Sequence, residues 1–252
     1  MNVDVRPQPD SANGPLTLAI DIGGTGLKGA VLDSAGALAT DRIRVPTPDV
    51  RTPHNVVEAL LELVSELGHF DRVSVGFPGV IRRGIVLTAP HLGTQDWRDF
   101  PLAKTLSERL KAPVRILNDA SVQGYGVISG QGVECTITLG TGVGFALYEN
   151  GVLGPHMELG RYPVHKNTLL DEYLGNAAFR KISKKHWNRR VRRVLGYLDT
   201  LVNYDVLYIG GGNAKHIALD LPDNVRIVPN EAGVTGGIKL WEPKVDNAFA
   251  ET

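Results

Sequence analysis

The sequence predicts an α/β protein, and three observations carry that expectation. Two glycine-centred hairpins of one design stand far apart in the chain, segments of helical period alternate with segments of strand character, and 252 residues suffice to bury a substantial core in one large or two modest units. The first hairpin runs from Leu18 to Leu32 around Asp21-Ile22-Gly23-Gly24-Thr25-Gly26-Leu27-Lys28; the second runs from Thr136 to Tyr148 around Leu139-Gly140-Thr141-Gly142-Val143-Gly144. Each is an apolar strand, a Gly-Thr-Gly turn and a second apolar strand. Glycine admits positive φ and lets backbone N–H groups approach an anion closely, while threonine adds a donor without charge. Two such turns would pinch a phosphate between two halves of the molecule.

The remaining elements follow in chain order. Thr52-Pro53 opens a helix in which Val57, Leu60, Leu61, Val64 and Leu67 recur at helical spacing before Gly68 closes it. Arg72 to Phe77 reads as a buried strand ended by Pro78-Gly79, Pro101 to Leu110 as a helix, and Val114 to Leu117 as a strand running into Asn118-Asp119. In the second half Val191, Val194, Leu195, Leu198, Leu201 and Val202 repeat at helical spacing ahead of a strand from Asp205 to Ile209. Gly210-Gly211-Gly212-Asn213 then turns into a helix from about Ala214. The division between halves is expected just after Asn118-Asp119, giving a disordered polar tail over 1–14, a unit over 15–119 and a unit over 120–252.

Composition narrows the function classes. Lys and Arg number 27 against 27 Asp and Glu, so no global field selects a polyanionic partner. The single cysteine, Cys135, lies in an apolar strand and reads as a buried structural thiol; it leaves no disulfide and no cysteine-based metal site. The first residues lack the apolar stretch of a signal peptide, and no 18-residue apolar run follows. The expectation is a soluble cytoplasmic protein with no membrane partner.

The glycine loops have rivals. Gly24-Thr25-Gly26-Leu27-Lys28-Gly29 fits the dinucleotide fingerprint, but that motif needs its glycines to open a helix. Here Ala30-Val31-Leu32 continues a strand, and no Walker sequence occurs. An ordinary glycine-rich hairpin remains the bland reading of either loop alone. Asp21 ends the first strand, where a carboxylate would repel phosphate unless a cation lay between them; its useful role is to hold hydrated Mg²⁺, against a plain hydrogen bond to its own turn. Asn118-Asp119 stands at the C-terminal end of a strand, the edge where open α/β sheets bind ligands. A carboxylate there can take the proton of an attacking hydroxyl, whereas the competing reading is a helix N-cap.

Together these residues resemble the ROK family of sugar kinases, within the actin-like, hexokinase-like ATPase superfamily. Asp21-Ile22-Gly23-Gly24-Thr25 resembles its first phosphate motif, Leu139 to Gly144 its second, and Gly210-Gly211-Gly212-Asn213 its adenosine motif, over about residues 16–242. Within the family the nearest resemblance is to bacterial polyphosphate glucokinases. The resemblance implies two actin-like, ribonuclease H-like domains with mixed sheets flanked by helices, a sugar in the cleft between them, and Mg²⁺ with ATP or polyphosphate as donor across the glycine hairpins. It implies Asp119 as catalytic base and Asn118 as a sugar-hydroxyl ligand. Phe77-Pro78-Gly79 resembles the loop lining the sugar pocket, Met157-Glu158-Leu159-Gly160-Arg161 the family's Glu-x-Gly-His sugar motif, and Glu172 lies near a further sugar-binding Glu. The donor side comprises Asp21, Gly23, Gly24, Thr25, Gly26, Lys28, Gly140, Thr141, Gly142, Gly211, Gly212 and Asn213. Two positions depart from the family: Arg161 replaces His, and His91 replaces the usual Asn. Arg has five donors and no acceptor, so the sugar pocket is expected to differ. The family's zinc-binding cluster is absent, and a homodimer is the expected assembly. The final helix, about 233–242, is expected to pack back on the first half.

Lys181 to Arg193 carries seven Lys or Arg in thirteen residues. A solvated helix face is the plain reading, and a track for inorganic polyphosphate the sharper one. The sequence therefore points to a hexose kinase, with a non-catalytic or weakened sugar-binding sensor as the alternative. Fourteen polar residues before the first strand leave no room for a helix-turn-helix, so DNA is not an expected partner.

Overall fold

A computed structural model describes residues 14–229 and 232–249; the tail expected to be disordered lies, but for Gly14, outside the described residues. The first hairpin forms as the alternation of apolar residues and the glycines require. Strand β1 (Thr17–Ile22) pairs antiparallel with β2 (Leu27–Leu32), and β2 pairs antiparallel with β3 (Ile43–Val45). Helix α1 (Pro53–Ser65) follows, its N-terminus capped by Thr52, whose Oγ1 accepts from the Asn55 N–H at 3.4 Å. Strand β4 (Arg72–Phe77) then runs parallel to β1. A small ribbon of β5 (Ile81–Arg82) and β6 (Ile85–Val86) leads to a single turn, α2 (Thr94–Trp97). Trp97 is fully buried against Phe77, ring centroids 5.1 Å apart, and its Nε1 donates to the Arg51 carbonyl. Helix α3 (Leu102–Leu110) and strand β7 (Val114–Asn118), parallel to β4, complete a sheet of order β3-β2-β1-β4-β7.

Helix α4 (Asp119–Tyr125) carries the chain to the second sheet. Strand β8 (Val133–Leu139) pairs antiparallel with β9 (Val143–Glu149), which pairs with β10 (Val152–Leu153). A ribbon of β11 (Pro163–His165) and β12 (Thr168–Leu169) leads into α5 (Leu170–Leu174), α6 (Asn176–Lys181) and the long α7 (Lys184–Val202). Strand β13 (Val206–Gly210) lies parallel to β8, and β14 (Val225–Ile227) parallel to β13, so the second sheet reads β10-β9-β8-β13-β14. The two sheets therefore repeat one plan, an antiparallel three-strand meander whose innermost strand continues into parallel neighbours.

Each sheet has its own core. Leu18, Ile20, Val73 and Val75 pack with Val57, Leu60 and Val64 of α1 and with Leu102 and Leu106 of α3; Ile137, Leu207 and Ile209 pack with Val191, Val194 and Leu198 of α7. Full burial of one such side chain contributes about 1.5–3 kcal/mol. Cys135 sits inside the second core, where burial pushes its thiol up to about 12. Among the described residues no helix is long and apolar enough to cross a membrane.

Two expectations about the last third change. The helix expected from about Ala214 is one 3-10 turn, Ala214–His216. The Asn213 N–H is held by the Leu139 carbonyl, apolar periodicity stops after Ile217, and Leu221-Pro222 bars a longer helix. The segment expected as one helix near 233–242 is a short helix, α8 (Ala232–Thr235), followed by a 3-10 stretch, Gly236–Trp241. These residues lie on the first sheet: Ser74 Oγ donates to the Gly237 carbonyl at 2.7 Å, Trp241 Nε1 donates to Ser74 Oγ, and Val234 packs with Ala19, Ala30 and Leu32.

Candidate active site

The C-terminal ends of the parallel strands of both sheets open on one cleft of about 530 Å³. Its walls bring together the two glycine turns, Asn118-Asp119 from the end of β7, and Gly211-Gly212-Asn213 from the end of β13. Of the residues singled out from sequence, Asp21, Gly23, Gly24, Thr25, Gly26, Lys28, Gly79, His91, Asn118, Asp119, Gly140, Thr141, Gly142, Glu158, Gly211, Gly212 and Asn213 line it.

The two turns close alike, with Gly23 N–H donating to the Gly26 carbonyl and Gly140 N–H to the Gly142 carbonyl, both at 3.0 Å. Their glycines serve close approach rather than positive φ, which none of them adopts; Gly211 of the third glycine cluster does, at 85°. A Cβ on Gly26 would fall on the Arg44 guanidinium, and one on Gly142 on His91 and Asp171; at Gly140 and Gly212 it would meet nothing within 4 Å. Those two glycines face open cleft. His91 reaches from the first half to the second turn, its Nε2 3.7 Å from Asp171 Oδ2, while Asp171 Oδ1 accepts from the Val143 N–H at 2.7 Å.

Asn118 and Asp119 divide the two readings that the sequence left open. Asn118 is the N-cap of α4: its Oδ1 accepts from the Ala120 N–H at 3.0 Å, and its Nδ2 donates toward the carbonyls of Phe77 and Gly79. Its amide thus holds the Gly79 loop, where a Cβ would collide with the Thr88 carbonyl. Asp119 begins the helix and keeps its carboxylate toward the cleft. Burial, reinforced by the negative charges of Asp21 and then Glu158, pushes its carboxyl up to about 7, against the pull of the Ala120 N–H and of His156. Glu158 is itself held by His156, Nε2 to Oε1 2.6 Å.

Arg161 and Glu172 do not line the cleft. Gly160 is the residue turned inward, packed on the Asp171 carboxylate and the Val143 carbonyl, which leaves Arg161 facing solvent. Glu172 turns back to accept from the Leu169 N–H at the start of α5, so its neighbour Asp171 is the carboxylate delivered to the cleft. The basic stretch is likewise displaced. Arg190 and Arg193 bond to Tyr173, and the cations at the cleft rim are Arg180 and Lys215, beside Phe179 and His216 stacked 4.6 Å apart at 18°. Arg44, Asp171, Asn176 and Arg180 line the cleft without a sequence signal, whereas Gln123 one turn after Asp119, Thr138 inside the second hairpin and Lys215 just past Asn213 lie within reach of local spacing.

Asp21 presents one carboxylate, with Lys28 Nζ 2.6 Å from its Oδ2. Among the described residues no group of three or more His, Cys, Asp or Glu side chains could hold a metal. That donor set does not suit a resident ion. It suits Mg²⁺ that arrives on a phosphate chain and keeps most of its water, needing one protein carboxylate.

The model of the ROK family matches residues 17–172. The chain is 31% identical to a polyphosphate glucokinase of Mycobacterium tuberculosis strain CDC 1551 / Oshkosh, over 86% of this chain and 88% of that protein. It superposes on an inorganic polyphosphate/ATP-glucomannokinase from Arthrobacter sp. strain KM with a TM-score of 0.82 at 31% identity, covering 90% and 98% of the two chains. A ROK-family glucokinase from Streptomyces griseus, solved with glucose and AMPPNP, shares the fold with a TM-score of 0.76 at 21% identity, covering 89% and 98%.

Proposed function

This chain belongs to the ROK family, and from that membership we propose a hexose kinase that transfers the terminal phosphoryl group of ATP or inorganic polyphosphate to a sugar hydroxyl. The observation that carries the reading is Asp119, which shares the cleft with Asp21 and Glu158 and has its carboxyl raised to about 7 by burial and by their charges. A general base is most effective when its pKa lies near the working pH. The sugar hydroxyl gives its proton to the Asp119 carboxylate as its oxygen bonds to phosphorus, and the bond from that phosphorus to the bridging oxygen of the donor breaks. Glu158, fixed by His156, accepts from a sugar hydroxyl on the same side. Asn118 acts through the Gly79 loop that it holds.

On the donor side, the N–H groups of the turns that close no internal bond are available to the phosphates, and the open space at Gly140 and Gly212 leaves them room. Mg²⁺ carried by the donor, with Asp21 as its protein ligand, supplies neutralisation of phosphate charge. Arg180 and Lys215 extend the positive rim outward, which suits a long polyanion; the flat Phe179–His216 pair at the same end suits a nucleobase. Glucose or a close relative is the acceptor class that the named relatives favour. The chain is read as a cytoplasmic homodimer, supported by the apolar surface around Leu201, which is 78% exposed beside a groove lined by Phe145, Leu147 and Leu198.

The test is a matrix of hexoses against ATP and polyphosphate, scored for phosphorylated sugar, with Asp119→Asn alongside. Product is expected in at least one cell, and the variant should lose about 10²–10⁴-fold in kcat. A blank matrix together with sugar binding by calorimetry would instead establish the sensor reading. A variant near wild-type rate removes Asp119 as the base.

A further inference from the structure

Helix α4 delivers a second polar side chain to the cleft. Gln123 stands four residues after Asp119, one helical turn along the same face. It is 6% exposed and lines the cleft. Its amide packs on Gly210, where a Cβ would fall directly on Gln123 Nε2. Gly210 pairs in register with Thr138, so the amide sits where β8 and β13 both end, below the second glycine turn and next to Gly211. Nε2 is buried and finds no hydrogen-bond partner among the described residues. The other such atom, Thr136 Oγ1, is sealed between β8 and α4 against Gly124, away from the cleft.

An amide buried without a partner is costly, and native structures keep one where a ligand or water completes it. The surroundings decide which ligand. Gln123 touches the glycine backbone at Gly210, and the carboxylate at this turn, Asp171, is already engaged by the Val143 N–H and faces His91. A neutral N–H₂ group against glycine backbone, with no carboxylate to accept from it, suits an anionic oxygen. We propose that Gln123 is a donor-binding residue, its amide contributing a hydrogen bond to the phosphate chain held by the second turn. The inference deepens the kinase reading and rests on it for the identity of the anion. It asks nothing of the sugar side.

The probes are inorganic tripolyphosphate and AMPPNP, each with Mg²⁺, titrated calorimetrically into wild-type protein, Gln123→Leu, Gln123→Glu and Gln123→Asn without sugar. Losing a hydrogen bond to a charged oxygen is expected to weaken binding of both probes to Gln123→Leu by about 10- to 100-fold. Gln123→Glu, which keeps the shape and adds repulsion, should weaken it more; glucose affinity should stay within about twofold in all variants. Weakening of one probe alone supports the contact and assigns it to that donor. Wild-type affinity for both probes in Gln123→Leu overturns the proposal, as does an equal loss of glucose affinity. Should the Leu variant fail to fold, Gln123→Glu and Gln123→Asn decide by the same criteria. Because binding is read without turnover, a wild-type protein that binds tripolyphosphate but makes no product defeats the kinase reading alone, whereas one that binds neither probe defeats this inference.

Discussion

At the residue pair one step before each turn, the first hairpin holds Asp21 opposite Lys28 and the second holds Thr138 opposite Gly144. The scaffold around the two pairs is the same: an antiparallel meander, a parallel continuation and a turn closed by one glycine N–H. What differs is charge. Asp21 lies close enough to Asp119 to raise its carboxyl, so the first hairpin shares the reacting end of the cleft. The pair at the second is uncharged, with Thr138 Oγ1 satisfied by the Gly144 N–H at 3.1 Å, and the carboxylate at that turn, Asp171, is engaged by the Val143 N–H and faces His91. One architecture used twice thus carries a charged pair before one turn and an uncharged pair before the other.

The comparison is broken most directly by exchanging the two positions. If Asp21 holds the donor's cation as proposed, Asp21→Asn is expected to lower kcat/KM by about 10²–10³-fold, whereas Thr138→Val should cost about tenfold or less. Steady-state rates at fixed Mg²⁺ check both. Equal losses would show that the charge asymmetry has no catalytic meaning.

The second hairpin can be dissected alone. Gly140→Ala adds a methyl where the protein leaves room, so thermal stability should hold while donor KM rises about tenfold from lost space. Gly142→Ala drives that methyl into His91 and Asp171 and should lower Tm as well as activity. If the two variants behave alike in a thermal melt, His91 does not span the cleft in solution.

A smaller effect sharpens the role of the charged side. Asp119 must be ionised to accept a proton, so kcat/KM should rise with pH up to about 7 and level off above it. His156 favours the ionised form, so His156→Gln should move the rising limb to higher pH. The same shift acts on stability with a definite sign. The folded carboxyl titrates near 7 and the unfolded one near 3.8, so the folded state loses stability as pH rises between them and stays penalised above. Asp119→Asn should therefore raise Tm at pH 8 and leave it unchanged below pH 3.8, as differential scanning calorimetry can show.

Much of this was legible in the sequence because it is local. Strand Arg72–Phe77, the Thr52-Pro53 helix start and both hairpins depend on near neighbours, and they form where periodicity and turn residues put them. The position of Asp119 follows from its place at a strand end. The failures share a different cause. Asp171 rather than Glu172 faces the cleft because helix register, not residue type, chooses between adjacent carboxylates. Arg161 is excluded because Gly160 takes the inward position, and at Gly26 and Gly142, neither of which has positive φ, it is a side chain reaching in from elsewhere that leaves no room for a Cβ. Arg44 reaches Gly26 from a separate strand, a contact that no spacing rule encodes.

The strap formed by Val234 to Trp241 also sets an order in time. It covers one face of β1, β2 and β4 through Val234, Gly237 and Trp241, yet it follows the whole second sheet in the chain. The first sheet is thus synthesised early and left with an uncovered apolar face while the whole second sheet is made. Its completion waits on residues made after that second sheet, so truncating the protein near residue 230 should harm the half of the molecule that is farthest away in sequence.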